Sequence, residues 1–153
     1  MTARSWIILT IGATVLVPAC AQQPRVGAAM SSDSSFPTLS WEDVPDLLAR
    51  STSTRVLTDF PRSPWSSQYE ETCSEGMLAL WLLEGVRQGG RFASLNALCF
   101  SGKVESENWS AASESNHERV RQAYQDWWSR VEGLPRSEAA AVDPLEGTGL
   151  HWH

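Results

Sequence analysis

The chain has 153 residues, a formal net charge of −6 and 42% hydrophobic residues, which suits one folded domain and is short for two. An acidic chain without clusters of lysine and arginine argues against binding to nucleic acid and against electrostatic docking on anionic lipid. The composition therefore disfavours a DNA- or RNA-binding protein and favours a single globular domain.

Residues 1–19 have the three-part pattern of an export signal. Met1 to Ser5 carries one basic residue, Arg4, and residues 6–17 are apolar or small and uncharged. This apolar run is shorter than the roughly 20 residues that a transmembrane helix needs. We therefore predict a signal peptide over residues 1–19 and an exported protein.

The end of this segment, Leu16-Val17-Pro18-Ala19-Cys20, resembles the lipobox of bacterial lipoproteins, with an aliphatic residue three positions before the cysteine. The resemblance implies cleavage before Cys20, lipidation of its sulfur and its amino group, and a membrane partner. Ala21 is not the aspartate that suggests retention in the inner membrane, so the outer membrane facing the periplasm is expected. Alternatively, ordinary signal peptidase cleaves after Ala21 and releases a soluble periplasmic or secreted protein beginning at Gln22.

The segment after the cysteine has the composition of a linker. Residues 22–38 are rich in serine, glycine and alanine and show no apolar periodicity. We therefore predict a flexible tether over residues 20–38, which lets the folded domain stand off the membrane.

A small all-α domain of three helices is predicted over residues 39–134. The first helix covers residues 40–50 and starts at a capping box formed by Ser40 and Asp43. Its inward stripe has the spacing of a helix that packs on one face: Val44, Leu47 and Leu48. The following segment, residues 55–60, fits either a helical turn or a strand.

The central helix is predicted over residues 67–88. Ser67 and Glu70 form a capping box, and Gly89 follows the last turn as a stop signal. The run from Met77 to Leu83 is apolar on every side of the helix. This pattern predicts a buried helix at the centre of the domain.

The third helix is predicted over residues 113–132, with Ser115 and Glu118 as its capping box. Its buried stripe has amphipathic spacing: Val120, Tyr124, Trp127 and Val131. Before it we expect an irregular packed segment over residues 91–103 and a polar loop over residues 104–112. The packed segment has these buried candidates: Phe92, Leu95, Leu98, Cys99 and Phe100. Residues 135–153 are predicted to be a loose tail.

Besides Cys20, the chain has two cysteines, Cys73 and Cys99. Two cysteines in an exported domain predict one disulfide bond, which would join the 91–103 segment to the central helix. The alternative is two buried free thiols, because both cysteines have apolar neighbours.

Tryptophans are the candidate ligand contacts. Trp128, Trp109 and Trp65 are candidates for an aromatic platform that binds a glycan or a peptide. The alternative is that tryptophan fills a small core, which the positions of Trp81 and Trp127 on their helices favour.

Four further residues on the helices carry polar or conformational signals. Glu84 and Arg87 share one side of the central helix and are interpreted as a structural pair. Gly76 lies within the same helix, where glycine costs about 1 kcal/mol of stability relative to alanine. We therefore expect another group to approach the helix closely at this position, and a crossing helix is favoured over a ligand. His117 lies at a helix start and has no partner that the sequence identifies.

The chain contains no nucleophile elbow, glycine-rich phosphate loop or clustered metal ligands, so no catalytic residue, metal or cofactor is predicted. We predict a membrane-tethered lipoprotein that acts as a non-enzymatic structural or interaction module, with an envelope protein or a glycan as partner. The alternative is a periplasmic or secreted module that binds glycans or peptides through tryptophans. A hydrolase would need a second carboxylate within about 5–10 Å of Glu84.

Overall fold

The computed structural model describes residues 37–62, 72–90, 92–103 and 108–153. This part of the chain forms a mostly helical domain with two small antiparallel sheets. The all-α prediction is therefore correct in that helices predominate, but it misses the two sheets. The helices are α1 (Val44–Arg50), α2 (Glu75–Gln88), α3 (Trp109–Glu114), α4 (His117–Val131) and α5 (Arg136–Ala141). The strands are β1 (Val56–Leu57), β2 (Cys73–Ser74), β3 (Cys99–Ser101) and β4 (Leu150–Trp152). The predicted signal peptide, Cys20 and nearly all of the tether lie outside the described residues.

Helix α1 agrees with the prediction. A short 3-10 helix, Trp41–Asp43, leads into it, and the backbone N–H of Ser40 donates a 2.7 Å hydrogen bond to the Asp43 carboxylate. The three residues of its predicted stripe are all buried: Val44, Leu47 and Leu48. Local capping and periodicity are therefore sufficient to explain this element.

Helix α2 is the centre of the core. Every residue from Gly76 to Val86 is buried, which confirms the predicted central position. The helix ends at Gly89, whose φ of 69° is the left-handed conformation that glycine adopts without steric cost.

The predicted start of α2 at residue 67 is wrong, because the helix begins at Glu75. The Ser74 side chain is its N-cap and accepts a 3.1 Å hydrogen bond from the backbone N–H of Met77. Cys73 and Ser74 are excluded from the helix because they pair as β2 with β1. The predicted capping box at Ser67 and Glu70 lies outside the described residues.

The ambiguous segment 55–60 contains a strand, β1. Val56 pairs with Ser74 and Leu57 with Cys73 in antiparallel register. Two further hydrogen bonds extend this pairing into the first turn of α2, from the backbone N–H of Glu75 to the Arg55 carbonyl and from that of Gly76 to the Ser53 carbonyl. The start of α2 is therefore fixed against the chain that leaves α1.

The predicted helix over residues 113–132 is two helices, and the predicted loop 104–112 already contains the start of α3. Ser115 does not cap α4, since its hydroxyl donates to the Ala112 carbonyl within α3. Helix α3 binds the two strands next to it: the Ser113 hydroxyl accepts from the Cys99 backbone N–H, and the Glu114 carboxylate accepts from the Ser74 backbone N–H. The predicted stripe of α4 is confirmed, with all four members buried: Val120, Tyr124, Trp127 and Val131.

Residues 135–153 form part of the domain, so the predicted loose tail is wrong. Strand β4 pairs antiparallel with β3, with Cys99 opposite Trp152. Three apolar side chains of the segment are buried: Ala139, Leu145 and Leu150. Of the candidates in the 91–103 segment, Leu95 is wrong, because it is 48% exposed, and Phe92 is only half-buried.

Candidate functional site

The most polar part of the core is a hydrogen-bond network around Glu84, which is 3% exposed. One carboxylate oxygen accepts from Nε of Arg87 and from the Tyr124 hydroxyl, each at 2.7 Å. The other accepts from Nη2 of Arg87 and from the Gln88 side chain, each at 2.7 Å. Each oxygen of Glu84 therefore has two donors, and the predicted pair of Glu84 and Arg87 is confirmed.

The same network links four elements of the fold. The indole N–H of Trp152 in β4 donates a 2.9 Å hydrogen bond to the Tyr124 hydroxyl on α4. Arg87 on α2 donates to the backbone carbonyl of Ala140 in α5 at 2.7 Å. These bonds connect the central helix to the last helix and to the last strand, so the network holds the C-terminal part of the chain in place.

Two pKa shifts show the electrostatic state of this network. Burial, and then the negative charge of Glu84, raise the pKa of Tyr124 well above its ordinary value of 10. The hydrogen bond to Glu84 raises the pKa of Arg87. The tyrosine therefore stays neutral and its hydroxyl donates a hydrogen bond to the carboxylate, while the arginine stays charged beside it. Sequence reasoning did not identify Tyr124 as part of this network. The signal that could have found it is its place in the buried stripe of α4, because a buried tyrosine hydroxyl needs a hydrogen-bond partner.

A second polar contact lies where α1, α2 and α4 meet. Nε2 of His117 lies 2.7 Å from the backbone carbonyl oxygen of Ser51, and the histidine side chain is 12% exposed. A Cβ atom at Gly76 would lie 2.5 Å from Cε1 of His117 and 2.6 Å from the Ser51 oxygen. The predicted close approach at Gly76 is confirmed, and the groups that make it come from the neighbouring helices: the His117 ring at the start of α4 and the Ser51 carbonyl at the end of α1.

An open cleft of about 560 Å³ adjoins His117. Its lining is Thr52, Thr54, Glu114, Ser115, His117, Glu118 and Arg121. The charged groups in it contact one another: Arg121 pairs with Glu118 and lowers the pKa of that carboxyl, and Nδ1 of His117 lies 3.9 Å from Glu114. The cleft therefore presents a polar surface on which the arginine is already paired with a carboxylate.

Glu75, at the first position of α2, binds two arginines. Its carboxylate accepts hydrogen bonds of 3.0 and 3.1 Å from Arg55, one of 3.2 Å from Arg50 and one of 2.8 Å from the Ser53 hydroxyl. The bonds from Arg55 and then Ser53 lower the pKa of Glu75 from 4.5 to about 2. This cluster joins the segment after α1 to the positive end of the central helix.

The Glu75 cluster predicts a specific pH dependence of stability. Because the folded-state pKa of Glu75 is lowered, its ionised form stabilises the fold above pH 4.5, and this stabilisation is lost as the pH falls from 4.5 to about 2. At pH 7 we expect Glu75→Gln to cost about 1 kcal/mol, since solvent screens the exposed side of the cluster. Urea unfolding of both proteins should show this difference disappearing near pH 2, and a difference that does not change with pH would contradict the assignment.

The predicted disulfide bond between Cys73 and Cys99 is wrong in this structure, in which both residues are buried thiols. The two cysteines lie in different sheets, with β2 paired to β1 and β3 paired to β4. Burial raises the pKa of the Cys99 thiol to about 12. The reactive thiolate of Cys99 is therefore scarce at neutral pH.

The candidate tryptophans separate into two clusters. Trp128 is half-buried and packs on Trp41 and Trp127, with ring centroids 5.8 and 5.7 Å away. Trp109 is half-buried against Phe100 at 5.8 Å and against His153 at 4.9 Å. Trp128 and Trp109 therefore pack against different aromatic residues and belong to separate clusters. Trp65 lies outside the described residues, and Trp81 and Trp127 are core residues as predicted.

Within the described ranges, no group of three His, Cys, Asp or Glu side chains is placed to hold a metal ion. The helices of the same ranges include none with the length and apolar character needed to span a bilayer.

Taken together, the fold and the polar contacts define a small, mostly helical domain in which the buried charged groups join secondary-structure elements. In the comparison with known families, the model of a domain of unknown function (DUF4943) matches residues 25–153. The chain therefore belongs to the DUF4943 family. The search of curated proteins and the search of solved structures found no match.

Proposed function

We propose that the chain is a bacterial envelope lipoprotein, held on a membrane by an acylated Cys20 and acting as a non-enzymatic structural or interaction module. The observation that carries this proposal is the lipobox-like run from Leu16 to Cys20, which follows an uncharged apolar stretch. Each acyl methylene contributes about 0.8 kcal/mol when buried, so several chains give a durable anchor. The outer membrane facing the periplasm is the proposed location.

The polar contacts of the core support a structural module rather than a catalytic one. The carboxylate of Glu84 is saturated by donors from its own domain, which is the pattern of a buried group that holds elements together. His117 likewise uses Nε2 on a backbone carbonyl. These groups explain the integrity of the domain, and in this proposal its surface contacts an envelope protein or a glycan.

Intact mass of the mature protein, purified from membranes of a bacterial host, tests the anchor. We expect a mass that begins at Cys20 and includes diacylglycerol and acyl groups. Because Cys73 and Cys99 are thiols, reduction should leave this mass unchanged, whereas a gain of two hydrogen masses would contradict that state. A mass that begins at Gln22 would refute lipidation.

A periplasmic or secreted module that binds glycans or peptides is the second candidate. The half-buried positions of Trp128 and Trp109 favour it, because each indole keeps part of its surface open to solvent. Quenching of tryptophan fluorescence by peptidoglycan fragments, reduced in Trp128→Phe or Trp109→Phe, would support this candidate. An unchanged spectrum would count against it.

A further inference from the structure

We propose that Leu39, Trp41 and Trp128, called here the aromatic face, rest on the lipid bilayer to which Cys20 anchors the chain. This inference depends on the proposed function and adds to it the side of the domain that meets the membrane. The proposed occupant is the headgroup and upper acyl region of the bilayer.

The aromatic face has the geometry of a surface that is apolar on one side and open on the other. Trp41 contacts Trp127 of the core with ring centroids 5.9 Å apart and contacts Trp128 at 5.8 Å. Leu39, Trp41 and Trp128 are each partly buried against the core and partly exposed. Their positions are therefore fixed by packing, and their outer surfaces are available to a partner.

The hydrogen bonds of the indole groups distinguish this face from the core. Three indoles donate inside the domain: Trp81 to the Ser94 hydroxyl at 2.9 Å, Trp127 to the Ala139 carbonyl at 3.3 Å and Trp152 to the Tyr124 hydroxyl at 2.9 Å. Among the described residues, the indole N–H groups of Trp41 and Trp128, like that of Trp109 in the other cluster, donate no hydrogen bond to the protein. A tryptophan with a packed ring and a hydrated N–H is typical of the membrane–water interface.

Arg136 adds a group suited to lipid phosphate. Its guanidinium carbon lies 5.8 Å from the ring centroid of Trp41, and its Nη2 donates a 3.5 Å hydrogen bond to the Val86 carbonyl. The residue is otherwise exposed at the start of α5. Arginine binds phosphate through two parallel hydrogen bonds, and its planar group stacks on aromatic rings. The edge of the aromatic face can therefore hold a headgroup while the rings contact the acyl region.

The position of the anchor selects the bilayer as the occupant. The described chain begins at Pro37, two positions before Leu39, and 16 residues separate Cys20 from Pro37. A chain of this length reaches at most about 60 Å. Short linkers give effective concentrations on the order of 1 mM, so a weak affinity of the face for lipid is enough for contact.

The charge of the domain indicates which force would hold it there. The net charge of the full 153-residue sequence is −6, and Glu42 beside Trp41 is exposed. Electrostatic attraction to anionic lipid is therefore excluded as the main force, and burial of aromatic surface remains. Docking should accordingly persist at high salt, in contrast to binding through a basic patch.

The test uses the lipidated full chain in vesicles of phosphatidylethanolamine and phosphatidylglycerol whose acyl chains are brominated near the headgroup. We expect bromine to quench part of the tryptophan emission at low and high salt. That quenched part should be lost in the variant with both Trp41→Phe and Trp128→Phe. Trp109→Phe is the matched control, because Trp109 is also half-buried but belongs to the other cluster, and it should retain the quenching.

Several outcomes separate this inference from the proposed function. A protein that carries acyl groups and floats with the vesicles, but is not quenched or loses quenching equally in all variants, overturns the aromatic face alone. A protein that carries no acyl group and does not float overturns the proposed function. Near-UV circular dichroism, recorded for the double variant and for Trp41→Phe and Trp128→Phe alone, identifies a folding defect. The absence of quenching in the wild type would contradict the inference without any variant. Crosslinking of the face to an envelope protein without quenching would also overturn the inference.

Discussion

Replacement of Glu84 by glutamine is expected to lower the free energy of unfolding by about 3–5 kcal/mol. Arg87 would keep its charge beside an amide that cannot compensate it, and the amide NH₂ would face donors from Arg87, Gln88 or Tyr124. Typical domains are stable by only about 5–15 kcal/mol, so this single change removes a large part of the total. Urea unfolding followed by circular dichroism measures the loss.

Glu118→Gln is the matched control for this prediction. Glu118 also pairs with an arginine three positions along its helix, but that pair is at the surface. Exposed ion pairs contribute little, so the control should unfold close to the wild type. Tyr124→Phe should fall between the two, at about 1–2 kcal/mol, because it removes a hydroxyl that bonds both Glu84 and Trp152. A Glu84→Gln variant as stable as the control would show that the network does not hold the fold.

The elements that sequence predicts well are those determined by neighbouring residues. The stripe of α1, the apolar run of α2 and the stripe of α4 are recognised because helical periodicity is a local property. The stop at Gly89 and the pairing of Glu84 with Arg87 belong to the same class, since each depends on residues within one or two helical turns. These features are sufficient to predict a mostly helical domain around a buried central helix.

The errors arise where distant segments pair. Helix α2 starts late because Cys73 and Ser74 pair with a strand at Val56–Leu57, and a strand of two residues has no periodicity to recognise. The ordered C-terminal segment depends on the pairing of Cys99 with Trp152. The full network around Glu84 was missed for the same reason, since Tyr124 lies 40 positions away along the chain.

Replacement of Gly76 by alanine is expected to destabilise the domain by about 2–4 kcal/mol, although alanine is the better helix former by about 1 kcal/mol. The new Cβ atom would lie 2.6 Å from the backbone oxygen of Ser51 and 2.5 Å from Cε1 of His117. The imidazole can move only by giving up its hydrogen bond to Ser51, and the carbonyl can move only with the end of α1. Urea unfolding and thermal unfolding should both show the loss.

Two comparisons make the Gly76 prediction specific to this contact. Gly133→Ala adds the same methyl group where no atom lies within 4 Å, so it should be neutral or stabilising by up to about 1 kcal/mol. Combining Gly76→Ala with His117→Ala should recover part of the loss, because the ring is removed, but not all of it, because the Ser51 carbonyl remains. An equal cost of Gly76→Ala with and without the His117 side chain would mean that the histidine does not occupy this contact. A partial recovery would establish that α1, α2 and α4 are joined at one point, where a glycine makes room for a histidine-to-carbonyl hydrogen bond.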